Sequence, residues 1–142
     1  MRTTRLTSTL IALAALAAGF AIGSAPASAH HSFAAEFDGT KPITLKGIVM
    51  QIDWTNPHVW FYINVKNEEG RMTRWGCEMG APHQLQGRGW LRDTMKIGDE
   101  VTVDGSLARD GSKRANARTV KTADGRTLGA ASSGERTGGP GH

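Results

Sequence analysis

HVWFYINVKNEEGRMTRWGCEM, residues 58–79, reads as two strands joined by a tight turn. In the first half Val59, Phe61, Ile63 and Val65 point one way, and His58, Trp60, Tyr62 and Asn64 point the other. Strict alternation of this kind marks a half-buried strand. Asn67-Glu68-Glu69-Gly70 suits a hairpin loop, with Gly70 in the left-handed position of a type I turn plus bulge. That loop fixes a register in which Val59 faces Met79, Phe61 faces Cys77 and Ile63 faces Trp75. All the apolar side chains then share one face, as a register with a buried side requires. The other face carries His58, Trp60, Tyr62, Arg74 and Glu78, with Trp60 opposite Glu78.

Upstream, Ile43 to Trp54 reads as a strand that changes phase. Ile43 and Leu45 share one face, whereas Ile48, Met50, Ile52 and Trp54 fall on the other. A β-bulge at Gly47 is the expected cause. Thr55-Asn56-Pro57 is a turn. Downstream, Pro82 suits a helix start, and Gly87 and Gly89 keep the segment from His83 to Trp90 short or irregular. Glu100 to Leu107, with Val101, Val103 and Leu107 inward, and Arg114 to Thr122 are further strands. Asp124-Gly125 offers another turn towards Leu128. Three strands, a short helix and two strands give an all-β chain. The expected fold is a five-stranded OB-like Greek-key barrel with a short helix between the third and fourth strands. A generic small β-sandwich or open barrel is the alternative.

The flanks read differently. Residues 1–29 have the pattern of an export signal: Arg2 and Arg5, an apolar run from Leu10 to Ile22, and the small residues Ala27-Ser28-Ala29. The run is short for a membrane span. The expected organisation is a signal peptide at 1–29, an N-terminal arm at 30–42, a barrel at 43–128 and a disordered tail at 129–142. The expected location is periplasmic or secreted, with no membrane span after cleavage. Removing Arg2 and Arg5 lowers the formal net charge of +4 to about +2. So small an excess gives no reason to expect nucleic acid as a partner. Cys77 is the only cysteine, so no intramolecular disulfide forms.

Taken together, HHSF (30–33), KPITLKGIV (41–49), WTNPHVWFYINV (54–65), WGCEMGAP (75–82), RGW (88–90), GDEVTVDGSLARDG (98–111) and ANARTV (115–120) resemble the domain-of-unknown-function family 6152. These are small secreted bacterial proteins. The resemblance implies secretion and a β-barrel, and supplies no catalytic residues.

Cleavage after Ala29 would leave His30 as the first residue. Its α-amine and imidazole titrate near ~8 and ~6.5, so both serve as ligands around neutral pH. Nitrogen ligands of this kind favour Cu(II), and a third nitrogen would complete a histidine brace. Cleavage after Ala27 would place His30 third, a spacing that also wraps Cu(II). The expected metal ligands are therefore His30, His31 and His58. Glu78 would orient a ligand ring or bind metal itself, and His83 is a weaker candidate. The plain alternatives are a frayed polar start for His30 and His31, a turn cap for His58, and a simple cross-strand partner of Arg74 or neighbour of Trp60 for Glu78. Cys77, Met79 and His83 also spell a soft Cu(I) set, although the register turns Cys77 and Met79 into the core.

Trp60, Tyr62 and Arg74 form the other candidate surface. Outward aromatics on the second and third strands of such a barrel stack sugars, bases or peptides. Phe33 or Phe37 of the arm would alternatively cover them. The expected function is an exported binding barrel that carries or senses copper. The other class is a metal-independent module for an oligosaccharide, peptide or protein. No nucleophile triad, phosphate loop or CxxC motif is present, and a copper oxidase or oxygenase is the reading that a chain this small supports least.

Overall fold

A computed structural model describes residues 30–132, with side chains from Phe33 onward. The expected signal peptide (1–29), residues 133–142 of the expected tail, and the side chains of His30 and His31 lie outside the described residues. The elements are α1 (His30–Glu36), β1 (Phe37–Asp53), β2 (Trp60–Lys66), β3 (Met72–Glu78), α2 (Pro82–Gln86), β4 (Glu100–Ala108), β5 (Arg114–Lys121) and β6 (Thr127–Gly129).

The strands lie in the order β3-β2-β1-β4-β5-β6, and β3 also pairs with β5 in parallel. That last pairing closes β1-β2-β3-β5-β4 into an OB-like barrel, with β6 as a short edge on β5. The hairpin register is the one read from the alternation: Trp60 faces Glu78, Phe61 faces Cys77 and Ile63 faces Trp75. Gly70 takes the left-handed conformation, with φ 82°.

The interior is built from that alternation. Val59, Phe61, Ile63, Cys77, Val103 and Val120 are fully buried. Each large apolar side chain removed from water contributes about 1.5–3 kcal/mol. Leu85, Trp90 and Met95, from the segment between β3 and β4, complete the core. Trp90 Nε1 donates to the Gly129 carbonyl at 2.9 Å, so its polar atom is satisfied. Burial pushes the Cys77 thiol up to about 12. It is a core residue, and His83 is exposed on α2, so the soft Cu(I) set does not assemble.

Three expectations are corrected. The phase change in β1 falls at Met50, not Gly47: Val49 pairs with Ile63 and Gln51 with Tyr62, leaving Met50 extra. Leu45, Gly47 and Val49 therefore point inward, whereas Met50 is 43% exposed. The Val49 amide and carbonyl meanwhile bond to Asp99 and Gly98, which holds the bulged strand from its other side. The strand also begins earlier than its apolar alternation, because Phe37 and Asp38 pair with Ala108 and Leu107. Finally, the start of the expected tail is packed. Ala130, Ala131 and Ser132 are buried, with Ala130 bridging the Arg118 carbonyl and the Gly80 amide.

Candidate functional site

β2, β3 and β5 together present one polar face. Because side chains alternate along each strand, His58, Trp60 and Tyr62 on β2 and its approach share that face with Glu78, Gly76 and Arg74 on β3. The parallel pairing sets Arg114 beside Gly76 and Asn116 beside Glu78. The face divides into a buried polar row and an open groove.

The row holds His58, Glu78, Asn116 and Ser132. His58 follows a cis Asn56–Pro57 bond, and its Nδ1 lies 2.9 Å from Glu78 Oε1. The Glu78 side chain is 7% exposed and that of His58 23%. Behind them Asn116 Nδ2 donates to Ser132 Oγ at 3.0 Å and to Glu78 Oε1 at 3.4 Å. Among the described residues Asn116 Oδ1 has no hydrogen-bond partner. Burial raises the Glu78 carboxyl to about 7, and the Glu36 carboxylate adds to the rise. The Arg114 guanidinium and the Asn116 amide oppose it. Desolvation disfavours the charged form of a buried acid.

α1 docks beside this row. Arg114 reaches Glu36 at 3.2 Å, and Arg109 Nε donates to the Ala34 carbonyl at 2.7 Å. The phenyl rings of the arm do not cover the aromatic face. Phe33 and Phe37 stack on each other with centroids 5.9 Å apart, and Phe37 is buried. Strand pairing draws Phe37 against β4 and away from Trp60.

The groove encloses about 510 Å³. Its walls include Asp53, Trp60, Tyr62, Arg74, Lys113 and Arg114. The two rings pack over Gly76, where a Cβ would come within 3.2 Å of Tyr62 and 3.6 Å of Trp60. The Arg74 guanidinium sits 4.7 Å from the Tyr62 ring centroid, and the Lys113 ammonium 5.2 Å from that of Trp75. Both are cation–π distances. Gln51 accepts from Arg74 Nη2 at 2.7 Å.

Trp60, Tyr62 and Arg74 thus meet in one groove, and His58 meets Glu78. His83 joins neither group. Among the described residues no three His, Cys, Asp or Glu side chains gather as a metal cluster. Sequence reasoning missed Asp53, Lys113 and Arg114, which arrive through strand ends and the β3–β5 pairing. It also missed Asn116 and Ser132. The small neighbours Ala115 and Ala117 were the available signal of a crowded strand around Asn116.

No curated protein sequence matches the chain. Among solved structures it is similar to Rim1, a mitochondrial single-stranded DNA binding protein from S. cerevisiae. The identity is 11% and the TM-score 0.47, over 58% of this chain and 92% of that one. The expectation that nucleic acid is not a partner is withdrawn, since it rested on net charge alone. Net charge near +2 was the wrong measure, because Arg74, Lys113 and Arg114 concentrate locally beside Trp60 and Tyr62. Among the described residues no helix is long and apolar enough to cross a membrane. The model of a family of unknown function, DUF6152, matches residues 18–117, and the chain belongs to that family.

Proposed function

We propose that this chain is an exported β-barrel binding module whose ligand lies in the groove on the β2–β3 face. One observation carries the reading: a 510 Å³ concavity in which aromatic rings and fixed cations converge. The volume lies within the ~300–1,000 Å³ of small-ligand pockets. Trp60 offers a ring face, and Arg74 offers positive charge packed against Tyr62. The ligand chemistry that fits is a ring-faced anion. Acidic sugar chains and single-stranded nucleic acid both have it.

Calorimetric titration with oligo(dT), an acidic oligosaccharide and an acidic peptide tests this. Trp60→Ala is expected to weaken the bound probe by about tenfold or more, while Trp60→Phe keeps most of the affinity. The reading fails if no probe depends on Trp60.

A second reading has its own support. The His58 Nδ1 contact with Glu78 at 2.9 Å is the arrangement that orients a metal-bound imidazole and leaves Nε2 for the metal. α1, which begins at His30, docks next to Glu78 through Glu36. In this reading Cu(II) is held by His30, His31 and His58 for carriage or sensing. Extending the processed chain by one N-terminal residue is expected to weaken Cu(II) binding by about tenfold or more, because the α-amine leaves the ligand set. Equal affinity for the two forms would remove the copper reading and leave the groove untouched.

A further inference from the structure

Gln51 links two charged residues of the groove wall. Its Nε2 donates to Asp53 Oδ1 at 2.9 Å and Oδ2 at 3.0 Å, and its Oε1 accepts from Arg74. A carboxylate and a guanidinium are therefore held at a set spacing along one groove wall. Each Asp53 oxygen keeps acceptor capacity beyond the bond from Gln51, and Arg74 keeps donors beyond the one given to it. The guanidinium lies over the Tyr62 ring, and its planar fork matches a carboxylate with two parallel hydrogen bonds. Beside them lies Trp60, on which no cation or ring stacks among the described residues.

An apolar ring face, a carboxylate and several hydroxyls occur together on a sugar acid. We propose that the groove binds a uronate-containing oligosaccharide. The C–H face of the pyranose lies on Trp60, its carboxylate on the Arg74 fork, and its hydroxyls donate to Asp53. This rests on the groove reading above and names its ligand class.

The test is calorimetry with tetragalacturonate, neutral maltotetraose and oligo(dT). Tetragalacturonate is expected to bind about tenfold or more tightly than maltotetraose. Arg74→Gln should erase that preference, and Asp53→Asn should weaken tetragalacturonate by about tenfold, roughly the loss of one hydrogen bond to a charged group. Circular dichroism identifies any variant that fails to fold, and Arg74→Lys then supplies a second test. It keeps the charge, loses the fork, and is expected to recover only part of the preference. Equal affinity for the neutral sugar, or a preference that survives Arg74→Gln, overturns the assignment. Oligo(dT) bound more tightly than tetragalacturonate, with Trp60 required, overturns the sugar class and leaves the groove reading standing. If no probe depends on Trp60, both fall.

Discussion

Gly105→Ala is expected to cost at least about 4 kcal/mol of stability, among the largest effects a single substitution produces. Gly105 lies in β4, where the pairing with β5 shifts: Asp104 faces Thr119 and Gly105 faces Ala117, leaving Arg118 extra. At this crossing a Cβ on residue 105 would lie 2.0 Å from the Asn116 carbonyl oxygen and 2.9 Å from its carbon. Both are backbone atoms, so no rotamer change relieves the overlap and β5 itself must move. The move would displace Asn116 from Glu78 and Ser132, coupling the barrel to the polar row. Urea unfolding followed by tryptophan fluorescence measures the loss. A change within about 1 kcal/mol would mean that β4 and β5 separate at low cost.

Glu78→Gln is expected to remove most of the pH dependence of stability between about pH 4.5 and pH 7. The folded carboxyl sits near 7, above its ordinary value of 4.5. Across that window the folded chain keeps a proton that the unfolded chain has released. Stability is therefore full below about 4.5 and falls as pH rises through about 7. The interval corresponds to about 3 kcal/mol, little reduced by solvent because the Glu78 side chain is almost wholly buried. The substituted amide keeps the shape of the carboxyl and cannot ionise, so the variant should give a nearly flat profile and be the more stable protein above neutral pH. Thermal unfolding of both proteins across the window checks this. A wild-type profile that rises with pH, or a variant with the same slope, would show that the proton is held elsewhere.

The hairpin was legible because a buried face with strict period-two alternation admits one register, and Gly70 set its loop. The bulge in β1 was legible in kind and displaced in place. Gly47 adds no apolar signal of its own, so its inward position between Leu45 and Val49 could not be read, and Ile48 and Met50 passed for the inner row. Half of the groove was legible too. Trp60, Tyr62 and Arg74 lie on one hairpin, and local periodicity orders them. Lys113 and Arg114 are brought in by a parallel pairing between strands well apart in the chain, and no local pattern encodes that partner choice. The same limit explains the misjudged charge, since a sum over the chain is blind to where the cations gather. Ala130 to Ser132 read as tail because small residues fit a coil as well as a narrow gap; the Arg118 and Gly80 hydrogen bonds to Ala130 show the gap.

The closure of β3 onto β5 completes the groove in which the proposed ligand would lie. Trp60 and Arg74 come from one hairpin and Lys113 and Arg114 from the far side of the β3–β5 seam, so a guest filling the groove acts as a clasp across that seam. Half-assembled chains hold only fragments of the pocket. Occupancy should then raise resistance to unfolding in proportion to RT ln(1 + [L]/Kd), so that a melting screen doubles as a search for the physiological guest.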